Sequence, residues 1–235
     1  MSDLLNFFID NPGLLAEKAL EHMWISALAI GIALVLALPV GVLLGHKHRG
    51  SYAAINVSNV LRALPSLALI AISLAIFGLS TINILVALVA LAVPPILTNA
   101  YTAVDNVDPD AVEAARGMGM REREIVGVIE LPLSWPLIFA GIRTGAVYVI
   151  ATAPLAAIAG GGGLGDIIVN QPTYRMAGVI AATIVVVALA FAVDALLGLV
   201  QRMLTPTGLT APSELHVLPL ATSEHPGAEK LMATN

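Results

Sequence analysis

Long apolar runs, separated by short polar breaks, set the pattern of this chain. Five of them approach the ~20 residues that carry a helix across a bilayer, at about 23–45, 53–77, 81–104, 135–158 and 178–201. They predict an all-α polytopic membrane protein with about five transmembrane helices. The second run has the least defined start. Arg62 and Pro65 fall inside it, so residues 51–61 can lie at the interface before the span begins. Trp24 and Trp135 sit at span ends, where amphipathic rings are favoured. Ahead of the spans, residues 1–21 read as an external or interfacial segment interrupted at Asn11-Pro12-Gly13, with Leu4, Leu5, Phe7, Phe8 and Ile9 as its apolar part. After residue 203 the tail, 204–235, carries Pro, Thr, Ser and acidic residues with little to bury, and is expected to be disordered.

The longest polar segment between spans runs from Asp108 to Pro132. Asp108 is a good N-cap and Pro109 suits the first helical position, which predicts a short helix to about Ala115. Gly117 and Gly119 loosen the chain. A second, amphipathic helix is expected from Met120 to about Leu131, with Ile125, Val128 and Ile129 on one face and Pro132 ending it.

Composition agrees with a membrane protein. Hydrophobic residues make up 58% of the chain and charged ones 11%, against roughly 25% charged in soluble domains. Mean hydropathy is +0.90. The absence of cysteine excludes disulfides, thiol catalysis and thiolate metal sites. With no basic patch beyond short loops, nucleic acid is not an expected partner. The first 21 residues hold four acidic groups and one basic one. That is the wrong flank for a cleaved signal peptide, so the first span is expected to remain.

Charge also sets orientation. With the N-terminus outside, cytoplasmic segments carry Lys47, Arg49, Arg116, Arg121, Arg123, Arg202 and Lys230, and external ones only Lys18 and Arg175. Seven against two favours N-terminus out and C-terminus in, with segment 108–132 in the cytoplasm of a bacterial cytoplasmic membrane.

The spacing Glu113-Ala114-Ala115, Gly119, Ile129, Leu131-Pro132 fixes seven positions over 20 residues. It resembles, without departure, the EAA loop of binding-protein-dependent ATP-binding-cassette (ABC) importer permeases. The resemblance spans about residues 20–202 and makes 22–203 a permease domain of the type I importer kind, with 108–132 as a cytoplasmic helix-turn-helix. It implies that Glu113, Ala114, Ala115, Gly119, Arg121, Ile129, Leu131 and Pro132 couple the chain to an ATPase subunit present in two copies. It further implies a second permease subunit, identical or related, and an external substrate-binding protein. No Walker A sequence occurs, so ATP and magnesium belong on the partner ATPase; no cofactor, metal or catalytic residue is expected on this chain. Leu61 to Leu69 (LRALPSLAL), Gly141-Ile142-Arg143-Thr144 and the glycines at 160–165 bring the resemblance nearest to osmoprotectant permeases, for glycine betaine, choline, carnitine and proline betaine.

Three charges fall within spans. Arg62, Arg143 and Asp194 lie seven to nine residues from the cytoplasmic ends, about 11–14 Å deep at about 1.5 Å per residue. Charges at that depth face the interior and pair, so Asp194 is expected to neutralise Arg143 or Arg62. The external run Gly160, Gly161, Gly162, Gly163, Leu164, Gly165 lacks the Lys-Ser/Thr of a phosphate loop and is a candidate external gate. The histidines read as solvated, His46 and His48 being a weak pair at best. Tyr101, Tyr148, Phe77, Phe139 and Phe191 are too far apart to announce an aromatic cage and read as packing, which leaves selectivity to the binding protein. The alternatives are an amino-acid importer permease, such as one for methionine, and an ion-coupled secondary transporter, which would want more ionisable groups at the midplane. A membrane enzyme would need a nucleophile–base pair or a metal, and no such constellation is present.

Overall fold

A computed structural model describes residues 2–205, and the expected disordered tail lies outside the described residues apart from its start. Every regular element among them is helical: α1 Ser2–Asp10, α2 Pro12–His46, α3 Ser51–Ala63, α4 Ser66–Phe77, α5 Thr81–Asp105, α6 Pro109–Gly117, α7 Glu122–Glu124, a π-helical stretch Ile125–Glu130, α8 Leu131–Thr152, a 3-10 stretch Ala153–Ala159, α9 Leu164–Val169 and α10 Gln171–Leu204. Four helical stretches are long and apolar enough to cross a membrane, and the bent pair α3–α4 makes a fifth.

Helix α5 is the centre, packed chiefly against α2 and α8. Small residues make the approach possible. Ala29, Ala33, Ala37, Gly41 and Gly45 recur every fourth residue on α2, and all five are buried. A β-carbon at Gly41 would stand 2.7 Å from the Ala100 Cβ and 2.9 Å from the Leu97 carbonyl oxygen. On α8, a β-carbon at Gly141 would stand 2.6 Å from the Asn99 Cβ. Both sites are Gly-x-x-x-Gly pairs, Gly41/Gly45 and Gly141/Gly145, which let helix backbones meet where lipid removes the hydrophobic drive between them.

The second span, expected over 53–77 with residues 51–61 able to lie at the interface ahead of it, is two helices rather than one. It breaks at Leu64–Pro65, and its halves diverge by 94°. Pro65 forces the residue before it out of the helical region, and Leu64 is extended at φ −76°, ψ 127°. Helix α10 has a break near its start at Arg175, whose φ is +56°. The first span also differs from expectation: α2 begins at Pro12, well before residue 23. Its N-terminal end and α1 join a cluster in which Leu15, Leu164, Ile167, Ala182 and Val186 are buried and Phe7 packs alongside.

Candidate functional site

The 108–132 segment folds as a compact unit with its own core. The Asp108 carboxylate accepts from the Asp110 N–H at 3.0 Å, capping α6, and Pro109 occupies the first turn. The chain turns at Gly119, whose φ of +83° suits glycine. The Arg121 N–H then donates to Glu124 at 2.8 Å, opening α7. Beneath the turn, Val107, Val112, Ala115 and Ile125 are buried, with Met120 and Ile129 against them.

Two expectations fail here for one reason. Pro132 does not end a helix: the chain stays helical from Glu122 to Ala159. Pro132 falls in the first turn of α8, directly after the π-helical Ile125–Glu130. Nor does Val128 share the Ile125 face; it is 62% exposed while Ile125 is fully buried. The wider i→i+5 winding of the π-helix rotates Val128 outward and keeps Ile129 inward. The 108–132 segment is thereby continuous with the span carrying Arg143.

The named motif residues divide by burial. Glu113, Ala114, Gly119 and Arg121 are exposed, Ala115 is buried, and Ile129, Leu131 and Pro132 are half-buried. Exposed Met118 and Val128 lie on the same segment, at 75% and 62%. The segment therefore offers a surface of small, charged and apolar groups over a packed base. Arg116 meets Glu122 through two nitrogens, each at 3.2 Å. That hydrogen-bonded carboxylate raises the Arg116 guanidinium above its ordinary value, though an exposed pair adds little stability.

Sequence reasoning missed what fastens this unit to α2. His46 Nδ1 lies 2.9 Å from both oxygens of Glu130, and its Nε2 lies 3.2 Å from Glu122. Glu130 is 2% exposed; it fills the free position between Ile129 and Leu131. His48 Nδ1 lies 2.8 Å from Asp105. The solvated reading fails for His22 as well: it is 2% exposed, with Nε2 3.1 Å from the Ile150 carbonyl. Pro154 cannot supply the helical N–H to that carbonyl, so the imidazole supplies the missing donor. His216 and His225 lie outside the described residues.

Among the intramembrane charges, Asp194 takes Arg143 in a bidentate pair at 2.9 and 2.8 Å, and Gln201 accepts from Arg143 at 3.3 Å. Arg62 is not brought to them. It is exposed and has no ion pair among the described residues, and it lines an open cavity with Tyr148. The packing expectation for aromatics suits Tyr101 and Phe139, 6% and 8% exposed, but not Tyr148 at 51% or Phe191 at 72%.

In the glycine-rich run after the fourth span, Gly160, Gly162 and Gly163 have positive φ. A β-carbon at Gly161 would crowd the Ala156 carbonyl, one at Gly162 would strike the Glu21 carboxylate, and one at Gly165 the Pro154 carbonyl. The glycines thus form a tight turn against α2, followed by α9. Lys18 closes it, 2.7 Å from Asp166 and 2.9 Å from Glu21. No group of three or more potential metal ligands occurs among the described residues.

Comparison with known proteins agrees in fold and sequence. The chain is 37% identical to the glycine betaine/carnitine/choline transport system permease protein OpuCB of Bacillus subtilis, over 92% of this chain and 100% of that one. It is 38% identical to the choline transport system permease protein OpuBB of the same organism, with the same coverage. Identity to the osmoprotectant import permease protein OsmW of Salmonella typhimurium is 33%, over 88% of this chain and 99% of that one. In fold it is similar to the inward-facing MetNI methionine ABC transporter, at a TM-score of 0.72 and 21% identity, over 83% of this chain and 99% of that one. Residues 33–206 match the family of binding-protein-dependent transport system inner membrane components, and this chain belongs to it as a multi-pass permease subunit.

Proposed function

We propose that this permease subunit imports a small osmoprotectant of the glycine betaine, choline, carnitine or proline betaine class by an ATP-driven alternating-access cycle. The observation that carries the mechanism is the unbroken helix from Glu122 to Ala159, which makes the 108–132 unit and the fourth span one lever. The substrate class follows from the relatives named above. Each of two ATPase subunits, holding ATP and magnesium, docks on the exposed Glu113, Ala114, Gly119 and Arg121 side of one permease. His46 and Glu130 carry the displacement to α2, and the paired Arg143 and Asp194 carry it to α10. A lever of this kind shifts a population only through contacts that differ between the two states. The second permease, identical or related, encloses the path, with the N-termini outside and the C-termini in the cytoplasm. A binding protein delivers solute at the external end, where the Gly160–Gly165 turn and the Lys18–Asp166 pair act as the outer gate.

Tracer uptake tests this reading. Proteoliposomes holding the complete complex and its binding protein are expected to take up glycine betaine, carnitine or choline only with internal ATP. Uptake of methionine in their place, or uptake of any of these solutes without ATP, would contradict it.

A further inference from the structure

Arg62 is the one intramembrane charge left without a partner group among the three singled out by the sequence. It stands in the last turn of α3, where a cation favours the helix dipole. It nevertheless makes no hydrogen bond to a carbonyl or any other group among the described residues. Immediately after it the span breaks at Leu64–Pro65. Non-helical backbone at membrane depth is tolerated where it lines a water-filled cavity, and broken helices are where transporters hold solutes. A cavity of about 270 Å³ lies at the break, with Arg62, Leu64, Leu91, Pro94, Tyr148 and Thr152 among the residues that line it. That volume lies just below the roughly 300 Å³ at which pockets for drug-sized ligands begin, so it suits a smaller solute.

The lining offers two kinds of group. Arg62 supplies a cation with planar paired donors, the partner of a carboxylate. Tyr148, half-exposed and also lining the cavity, supplies an aromatic face, the partner of a quaternary ammonium. Pro94 and Pro95 have no N–H, so the Ala90 and Leu91 carbonyls lose their i+4 donors within α5. Leu91 lines the cavity. A lone cation gains only the aromatic contact here; a zwitterion also gains Arg62.

We propose that this cavity is a transient solute site on the permease itself. Arg62 binds the carboxylate and Tyr148 faces the trimethylammonium of a quaternary-ammonium carboxylate. The permease therefore contributes selectivity for betaines over choline. This rests on the osmoprotectant reading above.

Saturation-transfer NMR on the permease–ATPase complex in nanodiscs, without nucleotide or binding protein, reads such a weak site directly. The probes are glycine betaine and choline, which share the trimethylammonium and differ in the carboxylate. In wild type both give methyl signals, the betaine more strongly. Arg62→Gln is expected to weaken betaine binding about tenfold, the scale of one lost hydrogen bond to a charged group, and to leave choline unchanged. Arg62→Lys recovers part of the loss, which a folding defect would not allow. Tyr148→Leu weakens both ligands and Tyr148→Phe neither. An unchanged betaine-to-choline ratio in Arg62→Gln, or no signal from either ligand in wild type, overturns the site. If ATP-driven uptake of betaine persists in the proteoliposomes, only the site falls; if uptake fails too, the osmoprotectant reading falls with it.

Discussion

Arg143 and Arg62 are the same residue, each inside a long apolar run of the sequence, yet the fold treats them differently. Asp194 and Gln201 lie two helical turns apart on α10, and both meet the Arg143 guanidinium. Arg62 sits where Pro65 stops its helix, and no carboxylate reaches it among the described residues. A charge neutralised from a neighbouring helix fixes packing. One left facing a cavity at a broken span is free to meet a solute. The difference teaches that lying in an apolar run does not by itself assign a role to a charge; the partner does.

The harshest way to break the contrast is to move α8, which carries both Arg143 and Tyr148. Gly141→Leu forces a side chain into space already held by Asn99 and the Pro95 carbonyl. Overpacking of this kind costs about 3 kcal/mol, and monodisperse protein is expected to be lost in size-exclusion chromatography. Next comes Asp194→Asn, which strands Arg143. Each member of the pair is about one-third exposed, at 33% and 34%. The loss is thus set below the 3–5 kcal/mol of a fully buried pair, at about 1–2 kcal/mol, and is read as a lower melting temperature in detergent. Glu130→Gln weakens the hold of His46 on the coupling unit. It is expected to cost about 1 kcal/mol and to reduce solute moved per ATP more than it reduces the melting temperature. The smallest stability effect sharpens the contrast most: Arg62→Gln removes no intramolecular bond and is expected to leave the melting temperature within about 0.5 kcal/mol of wild type. A destabilisation equal to that of Asp194→Asn would show that Arg62 has a structural partner after all.

Much of this was legible in the sequence because membrane physics writes long signals. The spans follow from apolar length, and Asp108-Pro109 marks the start of α6 by its capping chemistry. What stayed hidden depended on contacts between distant residues or on unusual winding. A π-helix has no simple residue signature, so the outward turn of Val128 and the passage of the helix through Pro132 could not be read from α-helical periodicity. The His46–Glu130 contact joins residues 84 apart, and the burial of His22 answers a carbonyl freed by Pro154, on another helix. One kind of signal was present and unused. The fourfold spacing of small residues on α2 and the Gly-x-x-x-Gly at Gly141/Gly145 marked the surfaces that meet α5. Pro65 after Arg62 marked the break, and its consequence, a right-angled bend with a cavity beside it, needed the fold.

The most direct test of the account is ATP hydrolysis by the reconstituted complex, with and without solute-loaded binding protein, in wild type and Glu113→Lys. Glu113 is exposed on the 108–132 segment, so the change leaves the fold of the permease intact. Loaded binding protein is expected to stimulate hydrolysis in wild type, and Glu113→Lys to lose that stimulation while melting as wild type does. Equal stimulation in both would contradict the claim that this segment couples the ATPase to the path.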